Sequence, residues 1–289
     1  MPRPFSRIAI VGVGLIGGSL GLAVRERGLA AEVIGIGRNP VTLSEARELR
    51  AIDAFSLDLA EGTAGADLVV LATPIPQILA DIERLAALAD FQGIVTDVGS
   101  IKGEIAARGA RFLPDRFIGS HPMAGSEKAG VRFASADLFV GATWVLTPTE
   151  GTPADRCERV RFLAGAIGAR LLELSPDAHD RAVAVTSHLP HILAYALAAV
   201  AGDRAEAEPD LPAVAAGSFA SGTRVAQSSP ELWQGICSGN RAAVLEALRA
   251  YSAELDEVRR ALESEDDTAL LEAFDRGFQA RNRWKSPAE

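Results

Sequence analysis

Apolar positions along the chain change their period near Ser175-Pro176. Before that point, short runs of branched apolar residues alternate with stretches of helical spacing. After it, only the helical spacing persists. The runs predict strands over 7–11, 32–36, 67–72, 93–96, 116–119 and 143–146. The run at 67–72, Asp-Leu-Val-Val-Leu-Ala, is almost wholly apolar, as expected of a strand covered on both faces. Residues 15–27 have helical character and stop at Gly28. Alternating strands and helices with short links predict a parallel, doubly wound sheet. Beyond the switch the pattern predicts a helix over 177–201 kinked at Pro190, a polar loop over 202–212, and a helix opened by Ser229-Pro230. A long helix capped by Asn240 should reach about residue 263, and another from Asp266 about residue 283. Two domains follow, 1–174 and an all-helical 175–289.

The longest apolar run, 182–201, carries Thr186, Ser187, His188, Pro190 and His191. Those polar groups would need partners inside a bilayer, so a buried helix is expected rather than a membrane span. Trp233, Phe274, Phe278 and Trp284 fall on helical patterns and are read as core or subunit interface.

Composition narrows the function classes. The 289 residues are 48% hydrophobic and 23% charged, ordinary for a folded soluble chain. A net charge of -9 disfavours nucleic acid and anionic membranes as partners. An anionic substrate would need positive charge concentrated at its site. Cys157 and Cys237 match no metal spacing and read as inert thiols. The N-terminus runs directly into a strand, so no signal peptide and a cytoplasmic location are expected.

Candidate chemistry begins at Gly12-Val13-Gly14-Leu15-Ile16-Gly17, between the first strand and the first helix. Gly12 permits a tight turn, Gly14 lets backbone approach a pyrophosphate, and Gly17 lets the helix pack on the strand. The pyrophosphate would rest on free N–H groups at the helix start, flanked by Leu15 and Ile16. After the second strand comes Gly37-Arg38. Gly37 offers no carboxylate to a ribose 2′-hydroxyl, whereas Arg38 can pair with a 2′-phosphate, so NADP is favoured with NAD as the alternative.

Ligands of open parallel sheets bind at the carboxyl ends of strands. Thr73 follows the 67–72 strand and is a candidate for the cofactor pocket. Ser100 follows the 93–96 strand, where it is a helix N-cap or a functional hydroxyl. His121 stands in the small-residue loop 119–126 with nothing large nearby to bury it, which favours a chemical role. His188 and His191 share a helix face, but no third ligand is evident, so no metal site is expected.

These motifs resemble the prephenate/arogenate dehydrogenase family. The resemblance rests on the glycine turn, on Asp97-Val98-Gly99-Ser100-Ile101-Lys102, and on Gly119-Ser120-His121-Pro122-Met123-Ala124-Gly125-Ser126. His179-Asp180, Ser187-His188-Leu189-Pro190-His191 and Thr223-Arg224-Val225-Ala226 extend it over nearly the whole chain. It implies a Rossmann-type nicotinamide-binding domain followed by a helical domain forming a homodimer. It implies that His121 accepts the ring-hydroxyl proton and that Ser100 positions both. Arg224 would bind a substrate carboxylate, while His188, His191, His179 and Ser126 would belong to the substrate site. The implied reaction passes hydride from the carbinol carbon to the nicotinamide with loss of CO2. Ala220 and Ser221 depart from the basic–acidic pair the family commonly carries. The rivals are a β-hydroxyacid dehydrogenase or imine reductase, which would place a lysine on the first helix of the second domain, and a non-catalytic NADP-binding redox sensor.

Overall fold

The computed structural model describes residues 4–126 and 128–284. In chain order the first half contains β1 (Phe5–Val11), α1 (Leu15–Glu26), β2 (Ala30–Ile36), α2 (Pro40–Glu48), β3 (Ala54–Ser56), α3 (Leu59–Thr63), β4 (Leu68–Leu71) and α4 (Ile75–Ala86). There follow β5 (Ile94–Asp97), α5 (Gly103–Phe112), β6 (Phe117–Pro122), β7 (Thr143–Thr147), α6 (Ala154–Ala166) and β8 (Arg170–Glu173). The eight strands form one sheet ordered β3-β2-β1-β4-β5-β6-β7-β8. β3 and β8 were not expected. β3 has only three residues, and β8 is wholly exposed, so neither carries a recognisable apolar run.

The pattern predicted a parallel sheet throughout, and this needs one correction. β1 to β6 are mutually parallel, but β7 runs antiparallel to β6, with His121 opposite Val145. Among its described residues the link from β6 to β7 supplies no crossover helix, only a short 3₁₀ turn, Val131–Phe133. It leaves and re-enters the sheet at the same edge, where the Met123 N–H meets the Thr143 carbonyl at 2.7 Å.

Register aligns the strand tips that matter. Val11 lies beside Ile36 and Leu71, and Leu71 lies beside Asp97. Connections pass to opposite sides on leaving β1 and β4, so a crevice opens between those two tips. Two apolar layers hold the sheet. Ile8, Ile10, Val70 and Leu146 face α1 and α6, while Val69, Leu71 and Val95 face α4 and α5.

The second half comprises α7 (Pro176–Val183), α8 (Leu189–Ala207), α9 (Gly217–Thr223), α10 (Pro230–Gly239), α11 (Arg241–Glu263) and α12 (Asp267–Arg283). α7 and α8 are joined by a π-helical turn, Ala184–His188. The expected kink is therefore a widened turn just before Pro190, whose missing N–H leaves the preceding ladder incomplete. α8 continues to Ala207, through most of the stretch expected to be a polar loop. Ser229 caps α10 by accepting from the Leu232 N–H, with Pro230 at the first helical position. Asp266 caps α12 in the same way through Ala269.

Pro176–Ala207 is long and apolar enough to cross a membrane by length and composition alone. The expectation that this helix is buried fails within one chain: of α8 only Leu189 and Ala194 are buried. Phe274, Phe278 and Trp284 are likewise exposed rather than core. The small helical core consists of Ala184, Leu189, Val244 and Ala247. Ile236 of α10 instead joins the core beneath the sheet, which seats the helical half against the carboxyl ends of the strands.

Candidate active site

The glycine turn has the geometry that its spacing implies. Gly12 takes φ +93°, and a Cβ there would lie 2.6 Å from the Ala72 carbonyl oxygen. A Cβ on Gly17 would lie 2.1 Å from the Gly12 carbonyl oxygen, so only glycine lets α1 close on the turn. Gly14 faces open space. As the N-cap of α1 it makes no side-chain cap bond, and the first turn bearing Leu15 and Ile16 has no acidic residue. The helix start therefore offers unneutralised N–H groups to an anion. Beside it Thr73 Oγ1 is buried without a hydrogen-bond partner among the described residues. That orphaned hydroxyl, the open face of Gly14 and the uncapped helix fit a dinucleotide. Arg38 is exposed at the tip of β2, just before Asn39 caps α2.

Beyond the β1/β4 crevice, the ends of β5 and β6 face the helical half across a cleft of about 340 Å³. Ser100, His121, Met123 and Ser126 line it from the sheet side, and Ser187, His191, Arg224 and Trp233 from the helical side. The titratable groups among its described lining residues are two imidazoles and one guanidinium, a positive setting on a chain of net charge -9. Arg224 follows α9 and is an exposed residue that reaches this cleft. Ala220 and Ser221 face solvent on α9, where the Ser221 hydroxyl returns to its own helix.

His121 is not the loosely surrounded loop residue that its small neighbours suggested. It belongs to β6, is 9% exposed, and its Nδ1 lies 2.9 Å from Nε2 of His179. His179 Nδ1 lies 2.8 Å from Asp180 Oδ1. The Asp180 carboxylate also accepts from the Lys102 N–H at 2.7 Å and the Gly103 N–H at 2.8 Å, at the start of α5. Burial opposes ionisation of Asp180. The hydrogen bonds from His179, Gly103 and Lys102 outweigh it and hold the carboxyl below its ordinary value. Burial, reinforced by His179, Lys102 and His188, holds His121 well below the usual imidazole range.

Beneath this chain lies a fully buried ion pair between Lys102 and Asp97. Lys102 Nζ also donates to the Ser120 carbonyl at 2.7 Å, and Asp97 accepts from the Ser120 and Gly99 N–H groups. The pair ties the β5 tip, which leads into Ser100, to the β6 tip, which carries His121. Burial drives Lys102 downward, opposed by its carboxylate partner. Sequence reasoning quoted both residues within a motif but assigned them no role, because their contact needs the β5–β6 pairing.

The four histidines divide into two pairs. His121 and His191 line the cleft, whereas His179 and His188 are buried behind it. Burial pushes His188 down to about 4, and it bonds to the Ser100 backbone. Its Nδ1 sits 3.3 Å from Asn240 Nδ2, which also donates to the Asp180 carbonyl at 2.7 Å. Asn240 thus stands at the start of α11, but its side chain bridges two helices instead of capping one. Ser100 likewise is not a cap: α5 begins after Lys102. Trp233, expected in core or interface, lines the cleft and stacks on His191 at 3.6 Å between centroids. His191 Nδ1 donates to the Ser187 carbonyl at 2.9 Å, leaving Nε2 for the cleft.

Comparison with known proteins agrees with this geometry. Residues 20–173 match the model of the prephenate dehydrogenase nucleotide-binding domain, and residues 175–276 that of the prephenate dehydrogenase dimerization domain. Prephenate dehydrogenase of Bacillus subtilis is 35% identical over 92% of this chain and 73% of its own length. The crystal structure of Aquifex aeolicus prephenate dehydrogenase with hydroxyphenyl propionate and NAD+ superposes with a TM-score of 0.89 at 30% identity, covering 96% of this chain and 97% of that one. Synechocystis arogenate dehydrogenase superposes with a TM-score of 0.81 at 32% identity, covering 96% of this chain and all of that one (100%). With the glycine turn, the buried histidine chain and the guanidinium-lined cleft in one frame, the protein belongs to the prephenate/arogenate dehydrogenase family.

Proposed function

We propose that the protein oxidises prephenate or arogenate with loss of CO2, passing hydride to a nicotinamide dinucleotide held at the glycine turn. The observation that carries this reading is the meeting of His121, Ser100 and Arg224 on one cleft beside the β1/β4 crevice. A neutral imidazole accepts the proton of the ring hydroxyl as hydride leaves the carbinol carbon. Ser100 holds the same hydroxyl. Arg224 receives a carboxylate of the substrate in forked geometry, which a lysine would not offer. Ser126 and His191 complete the polar wall, and Trp233 supplies an apolar face for the ring. His179 and His188 serve from behind the cleft by holding His121 and Ser100. The bound nicotinamide supplies hydride acceptance, while the protein positions and polarises.

NADP is the preferred cofactor in this reading, since Arg38 presents a cation at the tip of β2 and Gly37 no carboxylate. The exposed side chains of α8, α11 and α12 form the surface of a homodimer, in keeping with the match to a dimerization domain. The division at residue 174/175 and a cytoplasmic location belong to the same proposal. Neither a β-hydroxyacid dehydrogenase nor a redox sensor accounts for the guanidinium and paired imidazoles around the cleft. Absorbance in the reduced-nicotinamide band, followed with each substrate and each dinucleotide, tests the reading. Rapid reduction with prephenate or arogenate is expected, and no reduction with either would overturn it.

A further inference from the structure

We propose that Asp180, acting through His179, fixes the proton of His121 on Nδ1 and so presents a bare Nε2 to the substrate hydroxyl. The inference rests on the reaction proposed above, but it concerns two positioning residues that never touch the substrate.

The argument is one of donors and acceptors. Both Asp180 oxygens already face N–H donors, Oδ1 that of Lys102 and Oδ2 that of Gly103. The carboxylate can only accept, so at the 2.8 Å contact His179 Nδ1 must carry the hydrogen. A neutral imidazole has one N–H, which leaves His179 Nε2 as an acceptor. The 2.9 Å contact to His121 then requires the hydrogen on His121 Nδ1. His121 Nε2 is the remaining ring nitrogen, and His121 lines the cleft. Free imidazole side chains favour the opposite tautomer, with hydrogen on Nε2, which would donate to the substrate and could not take its proton.

The relay is rigidly held. His179 is fully buried, and Asn240 clamps the Asp180 backbone carbonyl at 2.7 Å. The groups around His121 are Lys102 with its partner Asp97 from beneath, and His179, Asp180 and His188 from the helical half. Arg224 and His191 lie across the cleft. Asp180 is the one carboxylate of this set aligned with the imidazole chain, so a proton received at Nε2 produces an imidazolium whose charge it offsets. The device also explains a division of labour: the sheet half supplies the base, and the helical half decides which nitrogen is basic.

The primary test needs no substrate, so its outcome is separate from that of the reaction itself. Protein labelled with ¹⁵N-histidine has four side chains to assign, and His121→Asn identifies one of them. Long-range ¹⁵N–¹H correlation above neutral pH should show both His121 and His179 as Nδ1–H tautomers. An Nε2–H tautomer at His121 would overturn the proposal. In Asp180→Asn the tautomer bias should be lost and kcat should fall by about 100-fold or more, with the substrate KM within about three-fold. The acid limb of its kcat profile should also move to lower pH, because losing the carboxylate disfavours the imidazolium. An unchanged tautomer and an unmoved limb would assign Asp180 a purely structural role. Should Asp180→Asn not fold, a pair at the middle position decides. His179→Gln keeps one donor and one acceptor and should retain about a tenth of kcat, whereas His179→Leu should lose about 100-fold or more. Equal impairment of the two would refute the relay.

Discussion

The sheet half and the helical half treat their apolar side chains differently. In the sheet half Ile8, Ile10, Leu20, Leu68 and Val70 are fully buried within the single chain. In the helical half α12 buries no side chain, and Leu271, Phe274 and Phe278 stand 69%, 59% and 63% exposed. A sheet covered on both sides closes its own core, whereas a few amphipathic helices expose a face that only another surface can cover. The contrast extends to the site. The sheet half holds its functional groups in a buried network, from the Lys102–Asp97 pair to Ser120, while the helical half brings Arg224 in on an exposed segment. In the proposed reaction, chemistry is thus seated on the half that closes its own core, and substrate capture on the half that leaves an apolar face uncovered within one chain.

Five variants test this contrast, from the largest effect to the smallest. His121→Asn should lower kcat by about 1,000-fold with dinucleotide affinity kept, since it removes the base. Steady-state rates and cofactor titration check it, and a loss of cofactor binding of similar size would erase the distinction between chemistry and capture. Arg224→Ala should instead raise the substrate KM about 100-fold, the scale of a lost charge-assisted pair, with a smaller change in kcat. A collapse of kcat at unchanged KM would place Arg224 with the chemistry.

The joint change Phe274→Glu and Phe278→Glu should convert a dimer to a monomer in sedimentation, because each ring contributes about 2 kcal/mol when covered. The sheet half should keep its near-ultraviolet signal from the buried Trp144. Retention of the dimer would move the interface elsewhere.

At the junction, His188 has a folded value of about 4 against 6.5 for the ordinary group. Below 6.5 the unfolded chain binds this proton more readily than the folded one, so the contribution is present above 6.5 and is lost as pH falls toward 4. It amounts to about 3 kcal/mol. Denaturant unfolding across that window should show a shallower acid loss for His188→Gln than for the natural chain, and parallel curves would refute it. Arg38→Ser should have the smallest effect, raising the KM for NADP about ten-fold and leaving NAD unchanged, since the guanidinium is solvent-exposed.

Much of this architecture was legible in advance for local reasons. Gly12 and Gly17 announce a turn because a side chain there meets backbone within a few residues or a neighbouring strand tip. Ser229 and Asp266 announce helix starts because a cap bond spans three residues. β7 misled because its direction depends on where a long link re-enters the sheet, not on its own Thr143–Thr147 pattern. Asn240 misled because its amide serves Asp180 and His188, 60 and 52 residues away.

The sequence by itself determined the nucleotide turn, the alternation of strands and helices in the first half and the all-helical second half. Periodicity, glycine sterics and capping act over a few residues and are written in the order of the chain. Only the tertiary structure decided which histidines face the cleft and which stand behind it, that Trp233 stacks on His191, and that Asp180 reaches His121 through His179. Those relations depend on how α7 and α8 dock onto the ends of β5 and β6. Burial and hydrogen-bond direction are properties of that docking rather than of any one segment.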